Sequence, residues 1–214
     1  MKINFVEGGK GMSVQFYESL FNMNDKEVIE KFLIFNGSLV IAGAKPSATI
    51  TLKKNKDNIY DKWIKYGEQF LKSIGLEYID LRETESALII LIYNDNMLRE
   101  VLHKDKNREF LNNMGYIESD NCREYLTHLN SRYQQYKCPH ELGVFLGFPI
   151  DDVIDFMECT DKKCLACGYW LVYNDLDKSN EIFKKYDRIK SHTINCLLQK
   201  NSSYKIAKDI MTLV

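Results

Sequence analysis

Val28, Ile29, Phe32 and Leu33 fall on one helical stripe, and Asn24 with Glu27 makes a capping-box pattern ahead of it. A helix is therefore predicted from about Asn24, and Gly37 stands where a C′ glycine would end it. "SLVIAG" and "ATITLK" then read as two strands around the turn "AKPS". From residue 58 to 74 the positions Tyr60, Trp63, Ile64, Gly67, Phe70, Leu71 and Ile74 keep helical spacing, and Gly75 stops the pattern. "LEYIDLR" and "ALIILIY" predict a hairpin across "ETES". The second is apolar on both faces, the mark of a central strand. Short helices follow around Leu98 and Phe110. An amphipathic helix then carries Cys122, Tyr125, Leu126, Leu129 and Tyr133.

Residues 137–173, "KCPHELGVFLGFPIDDVIDFMECTDKKCLACGYWLVY", are the densest stretch of unusual residues. "HELGVFLG" predicts about two helical turns ended by Gly147, and Pro149 opens a further helix with Val153, Ile154 and Met157 facing inward. "CGYWLVY" reads as a strand that joins or flanks the N-terminal sheet, with Tyr169 and Trp170 on opposite faces. The remainder is helical. One stripe holds Ile182, Tyr186, Ile189, Thr193, Cys196 and Leu197. Ser202 or Ser203 caps a last helix with Ile206, Ala207, Ile210 and Met211. The expected fold is α+β: a small, mostly antiparallel sheet packed with about eight helices. The expected organisation is one domain over 1–214, with a strand-bearing half (1–116) and a motif-bearing helical half (117–214).

Composition narrows the function classes. The chain of 214 residues is 45% hydrophobic and 28% charged, an ordinary globular mix. Its net charge of −1, from 29 basic and 30 acidic residues, supplies no cationic field for nucleic acid, so no nucleic-acid partner is expected. The longest clean apolar run is residues 87–93, far short of the roughly 20 needed to span a bilayer. The N-terminus has no apolar signal region, so no membrane partner and a cytoplasmic location are expected. There, the six cysteines are expected as thiols or metal ligands rather than disulfides. Abundant Lys, Asn, Ile and Tyr suit an AT-rich bacterial genome.

Several short patterns invite chemistry. "GGKG" at 8–11 does not make a phosphate loop, because Asn4 stands in the place of its first glycine and Gly11 follows Lys10. "PHE" at 139–141 lacks the second histidine of a zinc-protease motif, since Val144 occupies its place. His140 and Glu141 either cap a helix start or serve as an acid–base pair or ligands. Cys159, Cys164 and Cys167 have spacing C-x4-C-x2-C, and Cys138 or His140 could add a fourth ligand for zinc or iron. Ordinary buried thiols are the stronger reading, and a redox dithiol fits poorly because the pair precedes a strand. "GYWLVY" reads more readily as core than as a cofactor platform. Lys45, on a turn, becomes a candidate only if that turn folds over His140.

"CPHELGVFLGFPIDDVIDF", "CGYWLVYND" and "AGAKPSATITL" resemble the Pro-His-Glu, Leu-Gly-(Tyr/Phe)-Pro, Gly-Tyr-Trp and Ala-Gly-x-Lys segments of a domain-of-unknown-function family common in anaerobic Firmicutes. Phe148 and Leu171 depart from the residues usual there. The resemblance implies no activity. It does single out Lys45, His140, Glu141, Gly143, Gly147, Gly168, Tyr169 and Trp170 as one constellation. Three functions stay open: a cleft between segment 137–173 and the 42–47 turn binding a small ligand, anion or metal; an enzyme with His140 as acid–base and Glu141 or Lys45 nearby; or a structural or partner-binding protein.

Overall fold

The computed structural model describes residues 14–55, 58–158, 161–199 and 201–213. The "GGKG" segment and Cys159 lie outside them. The fold is α+β, with a helical C-terminal half. Helix α1 (Asp25–Ile41) begins at Asn24, whose side-chain oxygen accepts from Glu27 N–H as in the expected capping box, while Glu27 Oε2 accepts from Asn24 Nδ2 in place of its backbone N–H. Strand β1 (Ser47–Lys53) follows, then α2 (residues 59–73), whose middle turn Trp63–Gly67 is a π-helix. Strands β2 (Glu77–Glu83) and β3 (Ala87–Tyr93) form the expected hairpin.

The sheet order is β1-β3-β2, antiparallel throughout, so "ALIILIY" is the central strand. Its double-sided apolar character follows from what covers it. Leu88, Ile90 and Ile92 enter a core shared with α1, while Leu91 and Tyr93 enter a second core on the opposite face. The second core takes in α3 (Asp95–Leu102), α4 (Asp105–Asn113), α5 (Cys122–Gln135), α6 (Leu142–Phe145) and α7 (Ile150–Met157). The first is completed by α8 (Leu176–Leu198) and α9 (Ser203–Met211). Fully burying a side chain such as Ile90 contributes about 2 kcal/mol relative to leaving it exposed.

Four local expectations are corrected. "SLVIAG" is not a strand: α1 runs through it to Ile41. Gly37 lies inside the helix, and a Cβ there would lie 2.6 Å from Ile92 Cδ1, so it marks a close helix–sheet approach rather than a helix end. The terminating glycine is Gly43 at φ +69, with its N–H on Val40 O and the next N–H on Leu39 O. "HELGVFLG" holds less helix than expected, only Leu142–Phe145. "CGYWLVY" is no continuous strand: β4 (Ala166–Cys167) and β5 (Leu171–Val172) pair with each other, separate from the main sheet. Gly168, Tyr169 and Trp170 form the turn between them, so strand alternation does not govern which way those rings point.

Candidate functional site

Lys45 is placed by the end of α1. Its own N–H and that of Ala44 both bond to Leu39 O, at 3.0 and 2.8 Å, so the backbone leading to it is tied to the helix. Pro46 follows and Ser47 opens β1, its hydroxyl donating to Phe145 O at 2.7 Å. That bond docks the 42–47 turn onto the Pro-His-Glu segment. The same junction shapes the corner after α6. Gly147 has φ +75, and Phe148 N–H and Gly147 N–H turn back onto Gly143 O and Val144 O, closing the helix as expected. A Cβ on Gly147 would meet Pro46 Cδ at 2.7 Å, so both the backbone and the neighbour demand glycine.

The Gly-Tyr-Trp turn is held by Asp152, a carboxylate 3% exposed near the start of α7. Its Oδ2 accepts from Trp170 Nε1 at 2.8 Å. Its Oδ1 accepts from Tyr173 N–H at 2.9 Å, Asn174 N–H at 3.0 Å and Asn174 Nδ2 at 2.9 Å. Several N–H donors compensate the loss of hydration that burying a carboxylate entails. Trp170 is packed edge-on against Phe183, with ring centroids 4.5 Å apart, and lies 5.5 Å from Phe148.

These supports enclose a cavity of about 980 Å³ between α1, the start of β1, the Pro-His-Glu segment, the Gly-Tyr-Trp turn and α8. Lys45, His140, Gly143, Tyr169 and Trp170 all line it. Much of the wall is apolar, including Phe35, Leu39, Leu142, Phe148, Phe156 and Ile194. A volume of this size suits a small organic molecule.

Two lysines bring charge into that wall. Lys45 is 8% exposed, and its Nζ sits 5.0 Å from the centroid of the Phe148 ring. Among the described residues it has neither an ion pair nor a hydrogen bond on its ammonium. Burial, assisted by the nearby positive charge of Lys190, pushes its pKa down from 10.5 to about 8. Lys190, on α8, lies 5.0 Å from the centroid of the Tyr169 ring. Burial lowers its pKa too, against an opposing pull from Asp187. The Tyr169 hydroxyl donates to Asp187 Oδ1 at 2.8 Å. Burial first, then this bond, raises its pKa.

The structure parts the two members of the Pro-His-Glu motif. His140 is exposed at the cavity wall, its ring 5.0 Å from that of Phe156, and it makes no cap: α6 has no side-chain cap hydrogen bond. Glu141 is 1% exposed and turned to a different set of partners, pairing with Arg132 and accepting from the Tyr116 hydroxyl at 3.2 Å. That surrounding anion pushes the Tyr116 pKa up further after burial has raised it. Glu141 therefore ties α5 to the motif segment, and no contact brings its carboxylate to the His140 ring.

Cys164 and Cys167 are exposed, and Cys164 Sγ donates to Ala166 O at 3.2 Å. Cys138 is also exposed and lines the cavity. Among the described residues, no three His, Cys, Asp or Glu side chains converge as a metal site.

Asp152, Asp187 and Lys190 were not singled out in the sequence. Asp152 follows Pro149 in a first helical turn, where an acid already suits the helix dipole and attracts no notice. Lys190 offered a fainter signal. It stands midway on the i+4 row Tyr186, Lys190, Ile194, a cation between two residues of a buried edge.

No curated protein and no solved structure matches the chain. A family model does, from residue 33 to 207. That span opens inside α1, closes inside α9 and encloses every residue that lines the cavity, from Phe35 to Ile194. The cavity thus lies wholly within the region that defines the family, and the chain belongs to the family described as "Protein of unknown function (DUF3793)".

Proposed function

We propose that the protein binds a small organic anion, with the ligand's apolar body in the cavity and its charged group beside Lys45 and Lys190. The observation that carries this reading is Lys45: a lysine 8% exposed in an apolar wall, with a ring face but, among the described residues, no anion against it. An ammonium withdrawn from water without a counter-ion is costly, and a bound anion offsets that cost. Aromatic walls from Phe148, Tyr169 and Trp170 favour a flat apolar body.

The test uses two fluorescent probes that share an apolar frame, 8-anilinonaphthalene-1-sulfonate and its uncharged analogue N-phenyl-1-naphthylamine. The sulfonate is expected to bind saturably at one site and to quench Trp170. Lys45→Met should weaken it tenfold or more while leaving the uncharged probe unaffected. Equal sulfonate binding by the wild type and Lys45→Met would overturn the proposal.

A further inference from the structure

We infer that Lys45 is a nucleophile that condenses with an aldehyde or ketone carbonyl of the bound ligand to form an imine. This rests on the binding reading above and narrows its ligand to a carbonyl compound that also carries an anionic group. Three features of the site support it. Lys45 lines a partly open, mainly apolar cavity, where a small carbonyl compound could be held against it. No carboxylate among the described residues pairs with it, so no ion pair holds the nitrogen in its unreactive protonated form. A second cation, Lys190, lines the same cavity and disfavours a charge on Lys45, an arrangement that activates lysines for carbonyl chemistry. With a pKa of about 8, a useful share of Lys45 is neutral near pH 7.

The step balances without a redox partner. The lone pair of Nζ adds to the carbonyl carbon, and a proton passes from nitrogen to the former carbonyl oxygen, giving a carbinolamine. The C–O bond then breaks as that hydroxyl takes up a further proton and leaves as water, and the nitrogen lone pair forms the C=N bond of a protonated imine. The Lys190 ammonium is the acid on the same wall. The titratable groups that share the cavity with Lys45 are Lys190, Asp187, Tyr169, Asp152, His140 and Cys138, and the Tyr186 hydroxyl donates to Ala44 O beside it. After burial, the charge of Lys190 is what acts on Lys45, so Lys190 is the group expected to tune it.

The experiment treats the full chain with 4-carboxybenzaldehyde and sodium cyanoborohydride and maps the modified peptides. Lys45 should gain a carboxybenzyl group at least tenfold faster than any other lysine, with the rate rising to half its plateau near pH 8. Lys190→Met should move that midpoint upward, a change that a merely structural role would not produce. Labelling of surface lysines with Lys45 no faster than they are would overturn the inference. Competition by 4-methylbenzoate, which has no carbonyl to condense, against the sulfonate probe reads binding separately. Competition without a Lys45 adduct overturns the imine and leaves the binding proposal standing; neither overturns both. The wild-type peptide map decides the matter even if a variant fails to fold.

Discussion

Asp152 and Lys45 are both charged, both nearly buried and both on the wall of one cavity, yet they are treated in opposite ways. Asp152 receives four N–H donors from residues 170–174 and fixes the turn that carries Trp170. Lys45 receives a ring face and a neighbouring like charge. A satisfied buried charge builds a fold. An unsatisfied one costs stability, and that cost is what the proposed anion would offset at Lys45.

The largest effect should come from the satisfied charge. Asp152→Ala strands Trp170 Nε1 and two backbone N–H groups, and should lower unfolding free energy by about 4 kcal/mol in a urea titration. A loss under about 1 kcal/mol would mean that the carboxylate does not organise the turn.

Lys45 should behave with the reverse sign. A fall in pKa from 10.5 to about 8, at about 1.4 kcal/mol for each tenfold in proton affinity, amounts to about 3 kcal/mol of destabilisation. Between those two pH values the unfolded chain binds the proton and the folded one does not, so stability rises with pH. The penalty is full below about pH 8 and gone above about 10.5. Lys45→Met should therefore be more stable than the wild type at pH 7, with the gap closing by about 3 kcal/mol as pH climbs through that window. Paired chemical melts at several pH values measure it. A pH-independent gap would refute the buried, unpaired ammonium.

Gly147→Val forces a branched side chain into a left-handed backbone and against Pro46, and should cost about 2 kcal/mol in the same assay. Because Pro46 adjoins Lys45, the variant should also weaken sulfonate binding, which Asp152-independent damage elsewhere would not. The smallest effect is expected at His140. His140→Ala should change stability by less than about 0.5 kcal/mol, since the ring is exposed and touches only Phe156 among the described aromatic groups. His140→Asn should match it. If Asn restored a loss seen with Ala, His140 would be a cap after all.

Local signals in the sequence determined much of the scaffold. The Asn24–Glu27 box, the hairpin of β2 and β3, the central position of "ALIILIY" and the Gly147 corner all depend on residues near one another in the chain, and each stands in the structure as read. The pattern failed where a distant element outweighed a local preference. "SLVIAG" has strand-like residues, but α1 runs through it and Gly37 lets that helix approach Ile92 of the sheet closely. "CGYWLVY" has strand-like residues, but Gly168 N–H bonds back to Trp170 O and the Trp170 indole is held by Asp152, so its middle is a turn. The site divides along the same line. Lys45, His140, Gly143, Tyr169 and Trp170 were legible as a group and line one cavity, whereas Glu141 is drawn off by Arg132 from another helix. That Lys45 is buried, that Lys190 stands near it and that no acid among the described residues pairs with it were decided by tertiary structure alone. Burial and charge pairing are properties of space, set by residues as far apart as 45, 148 and 190, and no window of sequence contains them.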